Sequence, residues 1–119
     1  MFEQDHRPHD PLLAITRRRE YAGVVVRVEG EVDVSSAPAL QAQLGSALAR
    51  SPGRLVVDLR EVRFFGAVGI DVLLDCRRRC LERSVPLRVL AGRVVNRTLG
   101  LCQVDGMPVI DVTTSCPSA

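Results

Sequence analysis

The sequence predicts an α/β fold, a single mixed and mainly parallel sheet with helices packed against it. Short β-branched runs at residues 24–28, 55–59 and 86–91 alternate with longer stretches whose apolar residues recur every three or four positions. The run at 55–59 (Leu-Val-Val-Asp-Leu) is almost continuously apolar, as a strand buried on both sides would be. Alternation of strands with helices along the chain implies parallel β-α-β units. At 119 residues the chain is long enough for one domain with one core.

Taken in order, residues 1–11 read as a flexible N-terminal tail, 12–112 as the domain and 113–119 as a C-terminal tail. Residues 12–16 form the first expected strand, followed by the basic run Arg17, Arg18, Arg19 and a turn at Tyr21-Ala22-Gly23. The strand at 24–28 is interrupted by Gly30. Ser35 and Ser36 are the expected caps of a first helix, with Pro38 in its first turn. Leu40, Leu44 and Leu48 mark its buried stripe, and Ser51-Pro52-Gly53 ends it. After strand 55–59 a loop is expected at Phe64-Phe65-Gly66. A second helix then spans 68–83. At about 100° per residue, Gly69, Leu73, Cys76 and Cys80 share one face, while Asp71, Asp75, Arg78 and Glu82 share the other. A strand at 86–91 follows. A third helix spans 93–103, with Val94, Val95, Leu99 and Leu101 as its apolar positions. A last strand lies at 109–112.

Composition excludes several function classes. All 16 basic residues are arginine, yet the net charge is only +2 and aromatics make up 3% of the chain, which argues against a nucleic-acid binder. No apolar run approaches the ~20 residues of a membrane span, and the polar start lacks the apolar stretch of a signal peptide. A cytoplasmic location with reduced thiols is therefore expected. The only histidines, His6 and His9, lie in the N-terminal tail. With no Gly-x-Ser-x-Gly, no P-loop and no Gly-x-Gly-x-x-Gly after a strand, the chain is expected to be a binding module and not an enzyme. Asp58 is expected to make a structural hydrogen bond at a strand end. Without a paired C-x₂-C knuckle, neither a metal nor a cofactor is expected.

Several segments carry a resemblance. They are Gly30-Glu31-Val32-Asp33, Ser35-Ser36-Ala37-Pro38-Ala39-Leu40, Val56-Val57-Asp58-Leu59 and Phe64-Phe65-Gly66-Ala67-Val68-Gly69. In this order and spacing they resemble the STAS domains of bacterial anti-sigma-factor antagonists, from about Leu12 to Val112. The resemblance implies a partner, an anti-sigma factor of the histidine-kinase-like ATPase class, whose capture frees a sigma factor. It also implies a contact surface made of Asp33, Gly66, Ala67, Val68, Gly69, Ile70 and Leu74. The family pattern at the last segment is Phe-hydrophobic-Asp-Ser-Ser-Gly, and its first serine accepts a phosphate. Here that position is Ala67, flanked by Gly66 and Val68, so only Gly69 keeps the motif and no hydroxyl is available. Alternative roles for a STAS domain are a scaffold or subunit of a transport or stressosome-like complex, or a small-molecule sensor. The sequence leaves the oligomeric state open.

The candidate residues carry two readings each. Asp33 either contacts the partner or caps the turn that precedes the first helix. Gly66 and Gly69 are expected both to flatten the approach for a partner and to serve backbone geometry with φ > 0. Ile70 and Leu74 are either partly exposed anchors or edge residues of the core. Cys76 and Cys80 read as small core residues, with a redox pairing of one of them to Cys102 as the alternative. A disulfide between Cys76 and Cys80 has poor geometry at that spacing.

Overall fold

In the computed structural model, residues 12–104 and 106–111 are described. The elements follow the order β1 (Leu13–Glu20), β2 (Gly23–Val32), α1 (Ala37–Leu48), β3 (Leu55–Phe65), α2 (Ala67–Glu82), β4 (Leu87–Ala91), α3 (Arg93–Leu101) and β5 (Val109–Asp111). The expected tails at 1–11 and 113–119 lie outside the described residues.

Among the described residues the sheet has five strands, in the order β1-β2-β3-β4-β5. β1 and β2 form an antiparallel hairpin, and every later neighbour pairs in parallel. Because the order is sequential and parallel crossovers are right-handed, all three helices fall on one face. The core lies there: Val26, Val28, Leu55, Val57, Leu59 and Val89 from the sheet meet Leu40, Leu44, Leu48, Leu73, Cys76, Cys80 and Val95 from the helices. The other face carries Thr16, Arg18, Arg27, Glu29 and Arg88, all exposed.

Three strands run further than their apolar runs. β1 includes the arginine run, because an edge strand near its end can expose charged side chains on both faces. β2 continues through Gly30, whose φ of +113° is open to glycine. A side chain there would also strike the carbonyl of Leu12. β3 continues past Leu59 to Phe65, so the loop expected at Phe64-Phe65 is strand. Register shifts between Arg27 and Glu29 and between Gly30 and Glu31 mark bulges where that extension begins. Asp58 is therefore mid-strand, not at a strand end. It is 5% exposed, and the Arg60 guanidinium binds both its oxygens, at 2.9 and 2.8 Å. The Arg60 backbone N–H donates to it as well, at 3.1 Å, which fixes the first bulge. Burial raises the Asp58 pKa, but the hydrogen bonds and charge of Arg60 outweigh it and hold the carboxyl below its ordinary value.

Candidate partner-docking site

The residues singled out by sequence gather where β2 and β3 end and α2 begins. Asp33 follows β2 directly. Its Oδ1 accepts the backbone N–H groups of Ser35 and Ser36 at 3.0 and 3.1 Å, and the Ser35 hydroxyl at 2.8 Å. The Ser36 hydroxyl accepts the Asp33 N–H at 2.9 Å and donates to the Glu31 carbonyl at 2.8 Å. This is the reciprocal arrangement of a capping box, built one turn ahead of α1. The cap is thus Asp33; Ser36, fully buried, makes no side-chain cap of its own. The Ser35 hydroxyl and the surrounding N–H groups hold the Asp33 carboxyl below its ordinary value.

The β3–α2 junction is pinned from both sides. The Gly66 N–H donates to the Val32 carbonyl at 3.0 Å, which ties the start of α2 to the end of β2. The Thr98 hydroxyl on α3 donates to the Phe65 carbonyl at 2.8 Å. Sequence reasoning missed Thr98, whose only signal is a lone hydroxyl beside Leu99 on an otherwise apolar helix face. Gly66 is the N-cap of α2, with no side-chain cap bond. Ala67 is exposed and Val68 half-buried in the first turn. Val34 and Phe64, 79% and 51% exposed, flank the same end of the sheet and were not among the expected contacts.

Three expectations need correcting. Gly66 has φ −79°, and neither it nor Gly69 takes a positive φ. Gly69 is small because a Cβ there would stand 2.6–2.9 Å from three ring carbons of buried Phe65. Being buried, Gly69 also offers no flat surface to a partner. Ile70 is 5% exposed and belongs to the core, so it anchors nothing outside. Leu74 is half-buried against the core. The exposed part of the junction is therefore Ala67 with Val34, Phe64 and the rims of Asp33 and Val68.

Cys76 and Cys80 are free, buried thiols one turn apart, and Cys102 is a free, exposed thiol at the end of α3. Cys76 and Cys80 thus lie in the core, as small core residues would, while Cys102 lies at the surface. The hydrogen bond between the two buried thiols, together with burial, pushes Cys76 above its ordinary value. Among the described residues no three His, Cys, Asp or Glu side chains come together as a metal site. His6, His9 and Cys116 lie outside them. No described helix is long and apolar enough to cross a membrane.

The fold and this junction define a class: single-sheet α/β domains that present the start of their second helix at the carboxyl end of the sheet. The chain matches the family described as Mlab, STAS domain, over residues 15–111. It is 35% identical over 82 residues to the anti-sigma-F factor antagonist RsfB of Mycobacterium tuberculosis. That match spans 68% of this chain and 66% of RsfB, just under two thirds of the relative. To the anti-sigma-F factor antagonist RsfA of the same organism it is 30% identical over 116 residues, covering 94% of this chain and 91% of RsfA. A crystal structure of an anti-sigma factor antagonist from Mycobacterium paratuberculosis superposes with a TM-score of 0.77 at 30% identity, over 87% of this chain and 86% of that one. The chain belongs to the STAS domain family.

Proposed function

We propose that this protein is an anti-sigma factor antagonist, a binding module and not an enzyme. It captures an anti-sigma factor of the histidine-kinase-like ATPase class in the cytoplasm and frees the sigma factor by mass action. The observation that carries the reading is the pinned junction: an exposed, uncharged Ala67 on a helix start held against the Asp33 turn through the Gly66–Val32 hydrogen bond. The names of the relatives support the choice of partner. Residues 66–68 offer no hydroxyl, so no phosphate controls binding at the family's usual position, and the protein stays in its binding form.

Ala67→Glu tests this. A carboxylate in the first turn of α2 is favourable to the helix dipole, so the fold survives. An unpaired charge desolvated in an interface costs several kcal/mol, and about 3 kcal/mol is over a hundredfold in Kd. Calorimetry against the cognate anti-sigma factor is expected to show that loss. It is also expected to show a smaller one for Asp33→Ala, whose melting temperature reports separately on the lost cap. The absent hydroxyls also suit a scaffold subunit or a sensor. A folded Ala67→Glu variant that binds as tightly as the parent favours those readings.

A further inference from the structure

The end of the sheet opposite the junction has a character of its own. The β1–β2 turn and the connections α1–β3 and α2–β4 all lie at the amino ends of the parallel strands. Tyr21, in the two-residue turn of the hairpin, is fully exposed at 105%. Gly53 lies against the Ala22 carbonyl, and the Val24 N–H donates to the Arg54 carbonyl at 3.0 Å, so Arg54 borders this turn. Arg17 donates to Ser46 of α1 at 3.3 Å. Arg19 lies two residues beyond Arg17 on β1 and Arg50 four residues beyond Ser46, just past the end of α1, both towards this end of the sheet. The Leu55 N–H donates to the Pro86 carbonyl at 2.9 Å, which brings the connection carrying Arg83 alongside.

Arg19, Arg50, Arg54 and Arg83 are all exposed. None has a carboxylate at ion-pair distance among the described residues, and the nearby Glu20 is taken by Arg18. Arg50 and Arg83 follow the C-terminal ends of α1 and α2, where a cation is favourable. Arg19, near the end of the edge strand β1, and Arg54, just ahead of the central strand β3, have no such reason. Glu20 and Glu82 adjoin the group but are paired with Arg18 and Arg78; four arginines without ion pairs of their own among the described residues, at one end of the domain, point to an outside anion.

We propose that this end of the domain docks on an anionic phospholipid surface, with Tyr21 at the interface and Arg19, Arg50, Arg54 and Arg83 on the phosphates. These exposed residues sit in turns and at strand ends on one end of the sheet, where a planar array of phosphates can meet them together. Arginine stems and a tyrosine ring both suit the boundary between head groups and acyl chains. The surface lies at the opposite end of the sheet from Ala67, so both contacts can be made at once.

The full chain is mixed with vesicles of phosphatidylcholine alone, or of phosphatidylcholine with phosphatidylglycerol, and floated at low salt. Binding to the anionic vesicles only is expected, with release at about 1 M salt, where screening acts within ~3 Å. At about fivefold per arginine, R50Q/R54Q weakens partition about thirtyfold. Tyr21→Ala weakens it further, Arg93→Gln at the other end leaves it unchanged, and thermal melts confirm that each variant is folded. Equal binding to both vesicle types, or binding undiminished in R50Q/R54Q, overturns the proposal. So does a third outcome, in which the protein ignores vesicles but holds a polyglutamate peptide through Arg50 and Arg54, because the surface then takes an acidic protein segment.

Discussion

Gly69→Ala introduces one methyl group where the structure has no room for it. The new carbon would lie 2.6, 2.7 and 2.9 Å from three carbons of the Phe65 ring, against an ordinary separation of about 3.5–4.0 Å. The ring cannot swing into solvent, since Phe65 is 3% exposed, and its carbonyl is held by Thr98. Roughly 1 Å of relief must come from moving the first turn of α2 away from the sheet. Overpacking of this kind costs about 1–3 kcal/mol, and the complete enclosure of the ring places the cost at the upper end. Alanine returns about 1 kcal/mol of helix propensity relative to glycine. The net expectation is a loss of about 2 kcal/mol, or about 8 °C in melting temperature for a domain of this size. Urea and thermal unfolding measure it directly. A second substitution, Phe65→Leu, makes space and is expected to recover part of the loss. Gly69→Ala melting at or above the parent temperature would show that the close approach of ring and helix is not what requires the glycine.

The thiols and the buried carboxylate give two further expectations. In the native protein Cys102 is expected to alkylate at once while Cys76 and Cys80 react only after denaturation, and mass spectrometry of tryptic peptides separates the three. Rapid native labelling of Cys80 would remove both buried thiols from the core. Asp58 has a depressed pKa, so its stabilisation is present above the ordinary carboxylate value and lost as pH falls below about 4. The loss is about 1 kcal/mol because Arg60 is half exposed and regains water. Asp58→Asn is expected to lower the urea midpoint at pH 7 and to flatten its fall towards pH 3. An unchanged slope in that variant would assign the acid sensitivity to other carboxylates.

What could be read from the sequence follows the strength of periodic burial. α2 was legible to within a residue at each end because Gly69, Leu73, Cys76 and Cys80 repeat at helical spacing and are buried. The continuous apolar run at 55–59 identified the central parallel strand for the same reason. Its extension to Phe65 was hidden by Arg60, Glu61 and Arg63, which are exposed on a strand whose pairing shifts register there. The arginines of β1 hid that strand's second half in the same way. At the candidate site the residue types misled. Two serines before a proline look like caps, but the carboxylate three residues ahead of Ser36 takes that role while Ser36 turns inward. Ile70 could be placed only at the margin of the apolar face, because helical spacing alone does not say that α2 buries so wide an arc. Thr98 acts through a contact 33 residues away in sequence, which no local pattern encodes.

The sequential strand order has a consequence for how the chain is made. Each strand pairs only with the strands before and after it in sequence, so no pairing waits for a distant segment. A chain emerging from the ribosome can lay down the β1–β2 hairpin, close the first crossover on it, and add each later strand to a finished edge. The last addition is β5, three residues long and paired with β4. Most of the core is already enclosed when it arrives, so deleting residues 109–119 should leave a folded, less stable domain. The same deletion at the N-terminal edge would remove the hairpin on which every later step is built.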